Sequence, residues 1–203
     1  TGGTGITLLV SSGIILVIAG ILLIISINKK KKILKETKEA LEQAARAGIE
    51  IVPATGRPFC GISDEIYHLE GVQYVLTTNG AGIYERDSKT CLYEDAIPLS
   101  AYLPMLAEVE AYDVMADTFL KGGALMTKRK RDLLPRMRLT KEIRDYILSS
   151  RQVVESQVDY LRERGEDVEK LTINFAYDED GHRIDYDAVW EVLKKYPDVN
   201  AVS

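Results

Sequence analysis

Ala54-Thr55-Gly56-Arg57-Pro58 follows a short apolar run at 49–52, and Asn79-Gly80-Ala81 follows a second run at 73–77. Each is an apolar segment that ends in a loop of small and polar residues. A helical pattern precedes the first. In residues 35–47 (KETKEALEQAARA), Leu41 and Ala45 share a face with Leu34, while Lys and Glu fill the rest. That spacing predicts an amphipathic helix, and Gly48 is placed to end it in the left-handed conformation. A second helix is expected at about 63–69, with Ser63 as N-cap and Ile66 facing inward. Strand, loop and helix alternate through 33–81. The expected fold class is therefore α/β, with a parallel sheet and right-handed crossovers.

The pattern changes after Gly82. Segments 83–85 and 91–94 flank Asp87-Ser88-Lys89, a hairpin signature. Residues 100–108 read as a helix with Pro104 in its first turn, where proline is tolerated. Strands are expected at 112–116 and 124–127, around Lys121-Gly122-Gly123. Helices are expected at about 129–136, 140–149 and 152–164, the last closed by Gly165. Residues 171–176 alternate as a strand. A helix at 185–195 carries Val189, Trp190 and Leu193, and 199–202 begins another strand. This half reads as a separate α+β unit inserted after the hairpin. The boundaries so obtained are 1–32, an apolar segment with its lysine cluster; 33–97, a partial α/β core; and 98–203, the α+β unit.

Composition narrows the function. The chain has 203 residues, 46% apolar and 28% charged, which suits a folded globular protein. Residues 1–28 hold no charged side chain, and Lys29-Lys30-Lys31-Lys32 follow at once. Without those four lysines the remainder carries −9. An acidic body of this kind does not bind nucleic acid, since backbone affinity needs clustered Lys and Arg. The run Lys128-Arg129-Lys130-Arg131 is short and reads as a solvated helix face. Cys60 and Cys91 lack metal-ligand spacing, and His68 and His182 are the only histidines, too few soft ligands for a zinc site. Two free thiols in a reducing compartment fit this usage.

The uncharged stretch at 6–28 is long enough for a membrane span, and the lysines after it would hold that flank in the cytoplasm. Gly13 and Gly20 also divide it into Ile- and Val-rich runs that read as buried parallel strands. Both readings stand, as does a third, that these residues differ from the natural N-terminus.

The ordered set Thr37-Lys38-Glu39-Ala40-Leu41, Ala47-Gly48-Ile49, Ala54-Thr55-Gly56-Arg57-Pro58, and Asn79-Gly80-Ala81 with Ile83-Tyr84 resembles the Cof-type branch (subclass IIB) of the haloacid-dehalogenase superfamily, over about residues 33–203. The resemblance implies a Rossmann-like core with an inserted α+β cap domain. It also implies a magnesium-dependent phosphatase of small phosphorylated metabolites, often sugar phosphates, working through an aspartyl-phosphate. On this resemblance Thr55 and Gly56 would hold phosphoryl oxygens, Arg57 would steer the anion, and Asn79 and Gly80 would line the site at the C-terminal edge of the sheet.

The departures are as informative. The family's Asp-x-Asp motif should fall near 21–25, where the chain reads Ile-Leu-Leu-Ile-Ile. The post-cap lysine and acidic magnesium ligands are not found either. No catalytic residue and no metal ligand is assigned. The chain as given is expected not to turn over, and an Asp-rich segment outside it would restore the enzyme. The alternative is a membrane-tethered, catalytically dead domain that binds phosphorylated metabolites, with its body in the cytoplasm. Beside these, Asp178-Glu179-Asp180-Gly181 reads as a hairpin turn rather than a calcium loop. Asp113 and Asp117 read as solvated loop carboxylates, and His68 and His182 have no visible partner. Oligomeric state is not readable.

Overall fold

The computed structural model describes residues 35–197 and 199. The readings of 1–32, and all but Val199 of the strand expected at 199–202, lie outside the described residues. Helix α1 (Lys35–Arg46) forms as expected from its spacing, and Gly48 follows it at φ +83°. Its partly buried Leu41 packs with Ile51 and Ile62 against a small core of Leu69, Val72 and Val75.

Strands β1 (Tyr74–Thr77), β2 (Gly82–Glu85) and β3 (Cys91–Glu94) form an antiparallel meander in that order. The segment before it, expected as a full strand at 49–52, makes two isolated parallel bridges, Ile51 with Val72 and Ala54 with Leu76. The direction is the expected parallel one, but the regular strand is not formed. The helix expected at 63–69 is a single turn, α2 (Asp64–Tyr67), and Ser63 makes no side-chain cap bond.

Beyond the hairpin, α3 (Leu99–Val109) contains Pro104 as its sixth residue. Proline there lies past the first turn, not in it as the sequence pattern suggests, and removes the hydrogen bond to Ser100. The helix is retained because Tyr102, Met105, Leu106 and Val109 are all fully buried, and tertiary packing outweighs local propensity. A four-stranded sheet follows, in the order β6-β5-β4-β7. Its strands are β4 (Val114–Leu120), β5 (Gly123–Thr127), β6 (Gln152–Val154) and β7 (Lys170–Phe175). Strands β5 and β6 pair in parallel, and β4 pairs antiparallel with β5 and β7.

The helix expected at 152–164 is corrected: Gln152–Val154 is β6, and only α6 (Gln157–Arg164) is helical. Two β-branched valines favour the strand, and the Ser156 hydroxyl accepts from the Asp159 amide to start the helix. Gly165 ends it at φ +67°. Between β5 and β6 lie α4 (Lys128–Arg131), a 3-10 turn at Leu134–Arg136, and α5 (Lys141–Ser150). The last helix is α7 (Tyr186–Leu193).

Side chains of β4 alternate between two cores. Val114, Ala116 and Leu120 face α3, α6 and α7 in the larger cluster. Met115 faces the other way, into a cluster with Met126, Leu134, Met137 and Ile147. Buried Gln157 completes β4 where β5 diverges from it: its amide nitrogen donates to the Ala116 carbonyl, and its oxygen accepts from the Thr118 amide.

Candidate phosphoryl site

The two loops that follow the parallel segments are laced together. Thr55 donates its amide to the Leu76 carbonyl at 2.9 Å, Asn79 to Thr55 at 3.1 Å, and Thr78 to Arg57 at 2.9 Å. The Thr55 hydroxyl accepts from the Arg57 amide at 3.1 Å, which shapes the turn and leaves the hydroxyl hydrogen free to donate outward. Thus Thr55, Gly56, Arg57, Asn79 and Gly80 come to one place at the edge of the sheet. Among the described residues, neither the Gly56 amide nor the Asn79 side-chain amide has a hydrogen-bond partner.

Gly56 lies close beneath the Asn79 side chain: a Cβ there would stand 2.4 Å from Asn79 Oδ1, so that side chain would have to move aside. The second loop is strained. Thr78, Asn79 and Gly80 take φ of +50°, +62° and +102° in succession. A β-branched residue in this region is an outlier, costing on the order of 1–3 kcal/mol. Its surroundings hold it. The Thr78 hydroxyl donates to buried Glu169 at 3.2 Å, and the same carboxylate accepts from Tyr84 Oη at 2.5 Å and the Gly122 amide at 2.9 Å. Burial, then Glu169, pushes the Tyr84 phenol up from its ordinary value, so it remains a donor. Glu169 thereby fastens the strained loop to the β4–β5 turn.

Charge gathers beside the cradle from the second sheet. Lys170 Nζ donates to the Gly56 carbonyl at 3.2 Å. Burial, then the Arg151 charge, holds this ammonium below the usual lysine value. Arg57 stacks over Tyr146 with Cζ 4.3 Å from the ring centroid, and it donates to the Gly61 carbonyl. Arg151 lies 4.8 Å over Phe119 and 5.1 Å over Tyr146. It pairs with Asp117 at 3.0 Å, the two side chains being 5% and 0% exposed. Asp117 is therefore not the solvated loop residue expected: it sits mid-strand on β4. Burial raises its carboxyl to about 6 against the opposing pull of Arg151.

Other readings also change with the structure. Lys130, expected on a solvated face, is buried, and its Nζ donates to the Glu110 and Tyr112 carbonyls. Asp113 takes Arg129 and Arg136. His68 Nδ1 meets the Asp64 carbonyl, and His182 meets Asp178, so both histidines do have partners, local ones. Tyr177 and Arg183 bridge across the 178–181 segment, with Gly181 at φ +90°, which makes it the expected turn. Both cysteines are free.

From the Thr78–Gly80 loop a groove of about 970 Å³ runs past Lys170 along β7 to Tyr186 and Trp190. Sequence reasoning missed Glu169, Lys170, Arg151 and Asp117. Their partners lie 34 to 114 residues away, and no local pattern marks such pairings.

A profile of the haloacid dehalogenase-like hydrolases matches residues 26–195. Phosphatase YwpJ of Bacillus subtilis (strain 168) is 28% identical over 108 residues, 53% of this chain and 38% of that protein. The chain therefore spans about two fifths of the curated relative it matches. A haloacid dehalogenase-like hydrolase from B. subtilis superposes with a TM-score of 0.63 at 20% identity, over 87% of this chain and 65% of that one. BT1666 from Bacteroides thetaiotaomicron, described among haloalkanoate-superfamily phosphatases, gives 0.55 at 22% identity, over 86% and 57%. The subclass IIB sugar phosphatase BT4131 gives 0.51 at 20% identity, over 80% and 56%. At these identities the solved structures speak for the fold: a Rossmann-like core with a cap.

Proposed function

Because the chain belongs to the haloacid dehalogenase-like hydrolases, in their Cof-type branch, we propose that it binds the phosphoryl group of small phosphorylated metabolites, sugar phosphates foremost, in the cradle of Thr55, Gly56, Arg57, Asn79 and Gly80. One observation carries this reading. The two loops are tied to each other by their own backbone while the Gly56 amide, the Asn79 amide and the Thr55 hydroxyl hydrogen are left to donate. Fixed donors of this kind stabilise oxygens that gain charge, without reorganising as they do so. Arg57, held against Tyr146, is positioned to draw an anion in, and it does not have to order a free side chain on binding. In this reading residues 33–97 supply the core part and 98–203 the cap.

Magnesium is the cofactor of the family. Among the described residues no group of three or more His, Cys, Asp or Glu side chains gathers to hold a cation. Glu169, the buried carboxylate at Thr78, already accepts from three donors. These residues do not fit the ion. With Ile-Leu-Leu-Ile-Ile at 21–25 in place of the aspartate motif, the given chain binds its ester without hydrolysing it. Loss of the covalent nucleophile removes catalysis by several powers of ten, on the order of 10⁴–10⁶.

Calorimetric titration with glucose 6-phosphate tests the binding half. Saturable binding is expected, weakened about tenfold or more in Thr55→Val, and binding indifferent to that change would refute the cradle. A p-nitrophenyl phosphate assay with magnesium tests the other half. No turnover above buffer is expected, and EDTA-sensitive hydrolysis would refute it.

A tethered binding domain is the second reading, favoured by the uncharged stretch at 6–28 and the lysines after it. Among the described residues no helix is long and apolar enough to cross a membrane; the stretch itself lies outside them. Co-sedimentation with membranes, abolished by deleting residues 1–28, is the expected result, and equal partition of both forms would remove this reading.

A further inference from the structure

Three cations from three separate elements converge on two aromatic rings beside the cradle. Arg57 comes from the first loop and Arg151 from the end of α5. Lys170 comes from the first position of β7. Arg57 and Arg151 share the Tyr146 ring, while Arg151 and Lys170 share the Phe119 ring, with Lys170 Nζ 5.5 Å from its centroid. Asp117 is the carboxylate that an ion pair joins to this group, and it answers one cation, Arg151. The cluster keeps an excess of about two positive charges at neutral pH.

Such an arrangement is not needed for stability. Like charges set side by side repel one another, and a lysine whose ammonium is partly desolvated next to an arginine pulls against the fold. Lys170 has three donors and one protein partner, the Gly56 carbonyl. Its remaining donors, and the excess charge, are the chemistry of an anion site one residue removed from the phosphoryl cradle. The Phe119 and Tyr146 rings hold the guanidinium planes in place. Arg151 gives Nε to Asp117 and Nη1 to the Ser150 hydroxyl at 2.8 Å, so an anion entering there meets the Lys170 ammonium and the remaining Arg151 nitrogen, Nη2.

We propose that Lys170 and Arg151 form a second anion subsite beside the cradle. On this account the preferred ligands carry two anionic groups, a phosphate ester whose remaining part bears a carboxylate or a second phosphate, in preference to sugar monophosphates whose sugar is uncharged. Asp117 serves as a positioning residue that fixes the Arg151 guanidinium. This deepens the proposed phosphoryl-binding reading and rests on it.

The test is a set of dissociation constants for the full chain at low salt with glucose 6-phosphate, 6-phosphogluconate and fructose 1,6-bisphosphate. A charge-assisted contact made by the second anion alone should tighten binding about tenfold over glucose 6-phosphate, whose single anionic group is the phosphate. That ratio should fall towards one in Lys170→Met. It should persist in Lys141→Met, which removes an exposed charge on α5 away from the cluster. The double variant Asp117→Asn/Arg151→Met avoids leaving a buried carboxylate unpaired and should also collapse the ratio. Equal affinity for all three ligands in the wild-type chain would overturn the inference while leaving the cradle standing. So would a uniform loss in Lys170→Met, which would assign that lysine to the phosphoryl group itself. Absence of binding by all three would instead remove the underlying reading.

Discussion

The two faces of β4 are built on different terms. On one, Val114, Ala116 and Leu120 meet α3, α6 and α7 in a largely apolar core, and the Thr118 hydroxyl that β4 contributes there pairs with Tyr102 Oη at 2.7 Å. On the other, Met115 gives way along the strand to Asp117 and Phe119, and the packing partners become Arg151 and Lys170. The first face is what a stable sheet needs. The second carries charge that a stable sheet would do without, and it carries it next to the loops at 55–57 and 78–80. The charged face is thus the one that borders the proposed cradle, although Met115, Asp117 and Phe119 are as buried as the apolar side.

Removing one partner of the buried pair should show the difference at its largest. Arg151→Met leaves Asp117 alone in a site where it is 0% exposed, and a loss of about 3–5 kcal/mol is expected in denaturant unfolding at pH 7. The double variant Asp117→Asn/Arg151→Met should recover most of it. If the single variant is as stable as the wild type, the pair is not buried as described. On the apolar face, Leu106→Ala should cost about 2–5 kcal/mol by cavity formation, with no second change able to restore it and with no effect on the ligand selectivity ratio. A shift in that ratio would mean the two faces are coupled.

How much of this was legible depends on the range of the interaction. The helix at 35–46, its Gly48 stop, the hairpin about Asp87-Ser88-Lys89 and the Gly165 stop all follow from residues within a few positions of one another, and the structure has each. The loops at 55–57 and 79–80 could be named because small residues follow short apolar runs. Gln152–Val154 was misread as helix because three residues carry no period, and what makes them a strand is parallel pairing with Leu125–Thr127. Pro104 is tolerated deep in α3 for a reason that lies in the core it faces. Asp117, Lys130 and Glu169 look like surface residues in the sequence, and their burial is decided by partners elsewhere in the chain.

A smaller effect sharpens the same contrast. The Asp117 carboxyl is raised by burial to about 6 from an ordinary 3.8. The folded protein therefore binds the proton more tightly than the unfolded chain does. The stability this confers is complete below about pH 4 and is lost as pH rises through about 6. Its size is on the order of 2–3 kcal/mol at most. Other carboxylates, Glu108 beside Lys195 and Tyr196 among them, are shifted down and act in the opposite direction. The quantity to measure is the difference between wild type and Asp117→Asn across pH 4–7. The wild type should lose ground to the variant as pH rises, and a flat difference would show that Asp117 does not titrate in the fold.

The central claim is that two interlaced loops present open donors to a phosphoryl group. Backbone amide NMR during titration with glucose 6-phosphate addresses it directly. The account predicts shifts concentrated at residues 55–57 and 78–80. It also predicts their loss in Gly56→Ala, whose added methyl must displace the Asn79 side chain. Shifts elsewhere with these amides unmoved, or an unchanged response in Gly56→Ala, would contradict it.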